Sequence, residues 1–270
     1  MCGVDRRPDS RLAGQRVTAR RVSVSGVCGR YATTRSAGDL SAIFEAYDET
    51  DGRLGPDHNV APTDPVPVVR LSAEGHRVLA AGRWGFLPHW SRTPSAAARM
   101  INARAETVAT SRAYAGAFAR RRCLVPADGW YEWVRWAGGR QAYYMTPRDG
   151  SVLAFAGIWS VWGSGDEERL TFSVLTTAAV GELAEVHDRM PVLLPRERWA
   201  PWLAPADDDP QALLVPPAAD WLSGLEVRPV GPAVGDVRND GPRLIERVPL
   251  PAAARRGDAG SPAPEELTLF

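Results

Sequence analysis

Cys28 is the residue in this sequence whose chemistry depends most on its position in the chain. It lies in the run Val27-Cys28-Gly29-Arg30-Tyr31-Ala32. A cysteine with a free α-amine is a 1,2-aminothiol. The amine condenses with an aldehyde to an imine, and the thiol closes on that imine to give a stable five-membered thiazolidine. An internal cysteine offers only its thiol, so the chemistry open to Cys28 depends on whether it becomes a chain terminus.

Glu132 and His187 are the candidates for proton transfer. Glu132 lies between aromatic residues in Trp130-Tyr131-Glu132-Trp133, which predicts partial desolvation and favours its acid form. A surface carboxylate between core aromatics would give the same pattern. A lone histidine is more often structural, but His187 lies beside Asp188 and ahead of a proline, which favours a functional loop.

A second polar set lies in Ile101-Asn102-Ala103-Arg104-Ala105-Glu106. On a strand, positions 102, 104 and 106 share one face, although plain solvent exposure explains such a face equally well. The chain also has ten tryptophans, most of which must be core. A few on the surface could stack on exposed bases, and the candidates, with core packing as the alternative for each, are Trp84, Trp90 and Trp133.

The charged residues limit the kinds of ligand site and of reaction that this chain can support. All 32 basic residues are arginine, because the sequence contains no lysine, and they balance 32 acidic residues. Zero net charge argues against a general nucleic-acid binder, so any anion site must be local and built from arginine forks, which suit phosphate. No side-chain amine can form a Schiff base. Amine chemistry must therefore use the N-terminus.

Several classes of protein are excluded or disfavoured. The chain contains no run of about 18 apolar residues that would predict a membrane helix, and its Arg-rich start lacks the apolar stretch of a secretory signal. Three cysteines without a CxxC pair argue against a disulfide framework and a structural zinc site. The sequence has no Gly-rich phosphate loop, HExxH or GxSxG motif. We expect a cytoplasmic protein without a cofactor.

The hydrophobic pattern predicts short strands and helices without a βαβ rhythm, which is typical of an α+β fold with an antiparallel or mixed sheet. A turn is predicted at 59–62, and the prolines of 66–71 predict an edge strand. The other predicted strands are 78–84, 123–126, 141–146, 153–162, 171–177 and 225–230. The predicted helices are 40–47 (capped by Asp39), 112–122, 179–186, 195–202 and 208–214. One domain over 28–250 is expected, with 1–27 and 251–270 disordered.

Taken together, seven segments resemble the SOS-response-associated peptidase (SRAP) family, the abasic-site processing proteins. Each motif is weak alone, but the ordered set covers nearly all of 28–250 and is highly specific. The segments are Cys28-Gly29-Arg30-Tyr31, Asn59-Val60-Ala61-Pro62, Arg83-Trp84-Gly85, Ile101-Asn102-Ala103-Arg104-Ala105-Glu106-Thr107, Arg122-Cys123-Leu124-Val125-Pro126-Ala127-Asp128-Gly129-Trp130-Tyr131-Glu132-Trp133, His187-Asp188-Arg189-Met190-Pro191-Val192 and Val237-Arg238-Asn239-Asp240.

The resemblance implies a single compact α+β domain around a β-barrel-like sheet, with a groove for single-stranded DNA. It implies a monomer of the DNA damage response that is nucleoid-associated when bound to DNA. An N-terminal Cys28 would attack the ring-opened aldehyde of an abasic site and form a thiazolidine cross-link that shields the lesion. The other implied catalytic residues are Asn102, which orients the terminus or the deoxyribose, Glu132, which handles protons at the α-amine, and His187, which does so at the sugar oxygen. The implied DNA contacts are Arg30, Arg104, Arg112 and Arg189, with Trp84 as an apolar wall or stacking surface.

The sequence departs from the family pattern ahead of Cys28. In the family this cysteine directly follows the initiator methionine, whereas 27 residues precede it here. Three explanations stay open: a start codon at Val27, proteolytic removal of a leader by self-processing, or an internal Cys28 limited to a reversible hemithioacetal. Cys2 repeats the Met-Cys-Gly start, but Val4-Asp5 follow it, so it lacks the sequence that would place it in the site.

Two other functions are compatible with these residues. An N-terminal-nucleophile amidohydrolase or protease would use the Cys28 thiol with its own amine as base and would not need DNA. A non-catalytic single-strand binder would need no reactive cysteine. The arginine set favours a DNA substrate, because a plain amidase has no need of it.

Overall fold

The computed structural model describes residues 28–136, 139–204 and 209–250. The predicted extensions 1–27 and 251–270 lie outside the described residues. The strands are β1 Tyr31–Thr33, β2 Tyr47–Asp48, β3 Asp57–Val60, β4 Pro65–Leu71, β5 Arg77–Trp84, β6 Asn102–Arg104, β7 Arg122–Ala127, β8 Gly129–Trp136, β9 Gly139–Pro147, β10 Leu153–Trp162, β11 Arg169–Ala178, β12 Arg189–Pro191 and β13 Leu225–Val230. The α-helices are α1 Ala37–Phe44, α2 Ala115–Arg120, α3 Leu183–Val186, α4 Trp199–Leu203 and α5 Ala219–Ser223.

Five strands close into a barrel in the order β5-β4-β7-β10-β11. Neighbouring strands are antiparallel except for the closing pair, in which β11 runs parallel to β5 and Thr171 lies opposite Arg83. Because the sheet closes on itself, each of these five strands has a neighbouring strand on both sides. The short strands β6 and β12 extend β11 beyond the ring. The expected α+β fold with a mixed, barrel-like sheet and short helices is confirmed.

A second sheet of five antiparallel strands positions the segment that follows Cys28. Its order is β13-β9-β8-β1-β3, so β1 is hydrogen-bonded on both sides. Tyr31 lies opposite Trp130 on β8 and opposite Val60 on β3. The backbone three residues after Cys28 is therefore fixed between two strands.

The main hydrophobic core joins the barrel to this second sheet. Tyr31, Trp84 and Phe155 are each fully buried in it. The Tyr31 ring lies edge-on to Trp84 at a centroid distance of 5.1 Å and edge-on to Phe155 at 6.0 Å, the geometry that aromatic quadrupoles favour. Cys28 belongs to the same cluster, so the candidate nucleophile is part of this buried, aromatic-rich core.

Several predicted helix boundaries are wrong. The first helix spans Ala37–Phe44 rather than 40–47, because Ser36 is its N-cap and accepts from the Asp39 amide. Asp39 lies inside the first turn, where its carboxylate accepts from the Ser36 hydroxyl. The predicted helix 112–122 shrinks to α2 because Arg122 already belongs to strand β7. Of the predicted helix 179–186, only α3 is helical.

Two predictions about strands are also wrong. β4 is not an edge strand, because β5 and β7 flank it. Its prolines are tolerated because β7 pairs only with Val69 and Arg70, so Pro65 and Pro67 lie where β5 is the sole partner. The predicted turn at 59–62 begins two residues too early, since β3 runs through Val60. None of the helices in the described part of the chain is long and apolar enough to cross a membrane.

Candidate active site and nucleic-acid interface

The structure brings Cys28, Glu132 and Asn102 into direct contact. The Cys28 backbone nitrogen donates to Glu132 Oε1 at 2.7 Å, and Asn102 Nδ2 donates to the Cys28 carbonyl oxygen at 3.3 Å. Cys28 is fully buried and Glu132 is 3% exposed. A carboxylate and an amide, distant in sequence, therefore hold the backbone of one cysteine from both sides.

Strand β8 explains why Glu132 is buried. Glu132 lies opposite Tyr143 of β9 in the antiparallel ladder and on the same strand face as Trp130 and Val134. These three neighbours are buried in the core cluster that contains Cys28. A buried carboxylate is costly unless hydrogen-bonded, and the Cys28 nitrogen supplies one such bond. The strand thus presents a carboxylate where proton transfer to or from that nitrogen is possible.

The Cys28 thiol is held in its neutral form. Complete burial and, second, the nearby Glu132 carboxylate raise its pKa well above the usual range. A thiolate nucleophile at neutral pH is therefore disfavoured. The arrangement instead favours chemistry in which the nitrogen acts first and the thiol adds afterwards.

Residues on both edges of β11 extend the site. On one edge, Asn102 lies opposite Val174 and Arg104 opposite Thr176. On the other edge, Arg189 lies opposite Ala178. Since opposite residues share a face, the side chains of Asn102, Arg104 and Arg189 lie on one face of the sheet.

Arg189 bridges this face rather than projecting freely. Its guanidinium donates to both Glu106 carboxylate oxygens at 2.5 and 2.9 Å and to the Thr176 carbonyl oxygen at 2.6 Å. The ion pair lowers the pKa of Glu106. β6 ends at Arg104, so Glu106 lies beyond the strand that was expected to carry it. Arg104 is exposed on the same face.

His187 follows α3 and precedes β12. Its Nδ1 accepts from the Arg189 amide at 3.0 Å and lies 2.9 Å from Asp188 Oδ1. The amide fixes the ring orientation, whereas the Asp188 side chain is 66% exposed. His187 thus lies two residues before β12, which pairs with β11 on the edge opposite to the one that carries Asn102.

Arg30, which was expected to contact DNA, makes hydrogen bonds within the protein. Its guanidinium donates to Asn59 Oδ1 at 2.8 Å and to the Val234 carbonyl at 3.0 Å, and burial lowers its pKa. Buried Asn59 in turn donates to the carbonyls of Asp236 and Asn239. This network ties the segment after Cys28 to the loop that follows β13. Asn59 belongs to the motif Asn59-Val60-Ala61-Pro62, but no local pattern predicts that it links these two segments.

The tryptophans separate into core and surface. Trp84 is fully buried, and its Nε1 donates to the Ile101 carbonyl at 2.9 Å, so of its two expected roles it offers only the apolar wall. Trp90 is 55% exposed, and the Arg112 guanidinium lies over its ring at 5.9 Å. Trp133 packs, partly buried, against a smaller core cluster. Of the three candidates, Trp90 with Arg112 is therefore the exposed stacking surface on which a base could lie, and its contact with DNA stays a prediction.

We expect the two buried thiols to make the protein sensitive to alkali. Burial raises the pKa of Cys28 and of Cys123 above the ordinary range, whereas thiols of the unfolded chain ionise near pH 8.5, about their reference pKa. Stability is therefore intact below about pH 8.5 and falls as the pH rises towards the folded-state values, by roughly 1.4 kcal/mol per pH unit for each thiol.

The measurement is the free energy of unfolding in urea from pH 8 to 10. The Cys123→Ala variant will lose stability less steeply than the unaltered protein, because one of the two thiols is gone. Parallel pH profiles for the two proteins would show that Cys123 does not contribute.

The chain matches a known protein family over most of its length. The family model described as SOS response associated peptidase (SRAP) matches residues 27–237, and the chain belongs to this family.

Characterised relatives cover the same region. The chain is 32% identical to the abasic site processing protein YoqW of Bacillus subtilis over 82% of its own length and 99% of that protein. It is 31% identical to the abasic site processing protein YedK of Escherichia coli over 82% and 100% of the two chains. A crystal structure of a Bacteroides thetaiotaomicron protein has a TM-score of 0.71 at 22% identity, covering 82% of this chain and all of that one, which supports the fold.

Proposed function

We propose that this protein captures abasic sites in single-stranded DNA as a covalent thiazolidine cross-link through Cys28. The observation that carries the proposal is the 2.7 Å contact between the Cys28 nitrogen and the buried Glu132 carboxylate. When Cys28 is the first residue, this nitrogen is an α-amine, and a carboxylate at that distance can take its proton. The relatives, which are abasic site processing proteins, support an abasic-site substrate.

The proposed reaction needs no external oxidant or reductant. The neutral amine adds to the C1′ aldehyde of the ring-opened deoxyribose and gives a carbinolamine. Loss of one water leaves an imine, and the Cys28 thiol adds across the C=N bond, with sulfur to carbon and its proton to nitrogen. The product retains every atom except one water, and holding the three groups together contributes much of the rate.

The other residues take supporting roles in this proposal. Asn102 holds the Cys28 carbonyl and thereby orients the terminus towards the sugar. His187, with its ring fixed by the Arg189 amide, handles the proton at the sugar oxygen as the ring opens. Trp84 forms the apolar wall beneath the site through its contact with Tyr31.

The DNA strand would follow the exposed arginines and the Trp90–Arg112 pair. Arg104 offers a guanidinium on the Asn102 face, and Arg189 could exchange part of its contact with exposed Glu106 for a phosphate. Arg30 contributes mainly by fixing the Cys28 segment. With zero net charge, general affinity for DNA is modest, and the covalent bond provides retention.

Replacement of Trp90 by alanine will weaken non-covalent binding of undamaged single-stranded oligonucleotide. Loss of one base–aromatic stack costs about 1–3 kcal/mol. The measurement is fluorescence anisotropy, with Tyr47→Ala as the matched control, because Tyr47 is a comparably exposed aromatic at 68%. Equal losses in the two variants would contradict a specific platform at Trp90.

We also propose that the chain assists removal of the residues before Cys28. Cys28 has a φ of 40°, a left-handed conformation that costs a non-glycine residue about 1–2 kcal/mol. Cleavage of the 27–28 bond would relieve this strain. The neutral Cys28 thiol would add to the carbonyl of residue 27 and pass its proton to the nitrogen of Cys28, and the C–N bond would then break to leave a thioester and a free amine. Water would then release the leader acid and regenerate the thiol. The strained backbone at Cys28 thus supports a self-processing step of the peptidase type. If the leader is removed in another way, no such step is needed.

The test is incubation of protein beginning at Cys28 with a uracil-excised single-stranded oligonucleotide, followed by a denaturing gel. We expect a heat-stable adduct that is absent with Cys28→Ala and weaker with the same lesion in duplex DNA. An equal adduct from Cys28→Ala would sink the proposal. Turnover of an amide substrate without DNA would instead favour the N-terminal-nucleophile amidohydrolase.

A further inference from the structure

A cavity on the opposite sheet face from Trp84 contains two arginines that the proposed reaction does not use. It has a volume of about 180 Å³, and its lining includes Arg83, Leu87, Trp162, Glu167, Arg169 and Thr171. Arg83 follows Gly82 at the end of β5 and is adjacent to Trp84, so its side chain leaves the strand on the other face.

Strand register explains why these side chains meet. Trp162 lies opposite Arg169 at the end of the β10–β11 hairpin, and Thr171 lies opposite Arg83 across the parallel pair that closes the barrel. Arg169 and Thr171 are two residues apart on β11 and share a face. Arg83 and Arg169 are therefore diagonal neighbours on one face of the sheet, with Cα atoms about 7–8 Å apart. Both side chains line the cavity.

Neither arginine has a side-chain partner in the part of the chain that the structure describes. Among the described residues, neither Arg83 nor Arg169 forms an ion pair or hydrogen bond with another side chain, and Arg83 Nε is buried without an acceptor. Glu167 lines the cavity from the hairpin turn without pairing with either. The Thr171 hydroxyl accepts from the Leu87 amide and donates to the Ser160 carbonyl, so it has no proton left to donate. The donors available to a ligand are therefore guanidinium N–H groups, which match an anion with several oxygens such as phosphate.

The cavity adjoins the exposed stacking surface. The Trp162 indole nitrogen donates to the Ser91 carbonyl at 2.8 Å, and Ser91 directly follows Trp90. The wall of the cavity is thus fixed to the segment that carries the Trp90–Arg112 pair.

We propose that the Arg83–Arg169 cavity binds a phosphate group of the DNA strand next to the nucleotide that stacks on Trp90. The proposal rests on the proposed function for its ligand. It adds a second contact along the strand, at a distance from Cys28, and it makes affinity depend on DNA that flanks the lesion.

The test uses an undamaged single-stranded oligonucleotide, so that the chemistry at Cys28 plays no part. Anisotropy titrations over a salt series are expected to show that Arg83→Gln with Arg169→Gln weakens binding about tenfold. The same double variant is expected to lower the magnitude of the log Kd against log salt slope by about 0.7, the value for one phosphate contact on a single strand. Glu167→Gln will strengthen binding, because it removes a carboxylate from the lining. Arg243→Gln, which alters an exposed arginine outside the cavity, is the matched control and will leave both values unchanged.

A second arm distinguishes the source of the phosphate. Inorganic phosphate alone is titrated calorimetrically into the unaltered protein and the double variant. Binding of free phosphate that the double variant loses, with no change in the DNA salt slope, would overturn assignment of the cavity to the strand. Identical DNA affinity and slope in the double variant and the Arg243→Gln control would also overturn it. If the double variant shows the expected change in salt slope but the unaltered protein forms no cross-link to abasic DNA, the cavity assignment is supported and the proposed function of Cys28 is rejected.

Discussion

Protein that begins at Cys28 will cross-link abasic single-stranded DNA, and protein that keeps even one residue before Cys28 will not. The added residue turns the α-amine into an amide, whose nitrogen lone pair is delocalised and cannot form an imine. The Glu132 contact persists in both forms, because the amide N–H still donates to the carboxylate. Binding is therefore preserved while the first bond-forming step is lost.

The comparison is made with three proteins of nearly equal length: one beginning at Cys28, one that retains Val27, and Cys28→Ala with a free terminus. The first gives an adduct that survives heating. The second gives at most a hemithioacetal that falls apart in denaturant. The third gives only an imine, which borohydride traps and heat destroys. A heat-stable adduct with the Val27-retaining protein would show that the thiol alone suffices.

Glu132→Gln will slow cross-link formation by about 10²–10⁴-fold, the usual contribution of a positioned proton-transfer group. An α-amine has an ordinary pKa of about 7.7–8.0, so most of it is ammonium at neutral pH, and a neighbouring carboxylate favours that charged form further. The amine must lose this proton before it attacks. Glutamine keeps an oxygen that can accept from the Cys28 nitrogen but cannot take the proton.

The pH profile separates this role from a structural one. Without the carboxylate, deprotonation depends on solvent, so the variant's rate will rise as the pH passes through about 8, the ordinary α-amine range. Non-covalent affinity for undamaged DNA and the urea midpoint are the controls. A variant with unchanged rate at pH 7, or with a loss fully explained by unfolding, would contradict a proton-transfer role for Glu132.

The elements that sequence patterns predict well are those set by local alternation. The strands 153–162 and 225–230 match β10 and β13 residue for residue. The pattern does not predict a helix end that is set by a cap, as at Ser36, because a serine one turn earlier competes with an aspartate of similar capping strength. Nor does it predict the place of the β4 prolines, because their tolerance depends on where β7 stops pairing with β4, which is set by tertiary structure.

In the candidate site, too, some features follow from the local sequence and others only from the tertiary structure. Motif order identifies Cys28, Asn102 and Glu132, and the structure joins them, but no local pattern reveals that the Cys28 nitrogen meets a carboxylate 104 residues away. Nor does the sequence separate Trp84, which is buried in the barrel core, from Trp90, which is exposed. Trp84 lies between Arg83 and Gly85, and Trp90 lies between His89 and Ser91. These neighbours do not distinguish the two rings, and only closure of the barrel between β5 and β11 decides which ring is covered.

The central claim is that both the nitrogen and the sulfur of Cys28 join the abasic sugar. Tandem mass spectrometry of the digested cross-link tests this most directly, after reductive methylation of free amines and alkylation of free thiols. We predict a peptide beginning at Cys28 whose mass gain equals the sugar remnant less one water, with its thiol unalkylated and its terminal nitrogen carrying at most one methyl group, as a secondary ring amine does. A cross-linked Cys28 peptide that carries a dimethylated terminal amine or an alkylated thiol would contradict the thiazolidine, as would a cross-link on any other residue.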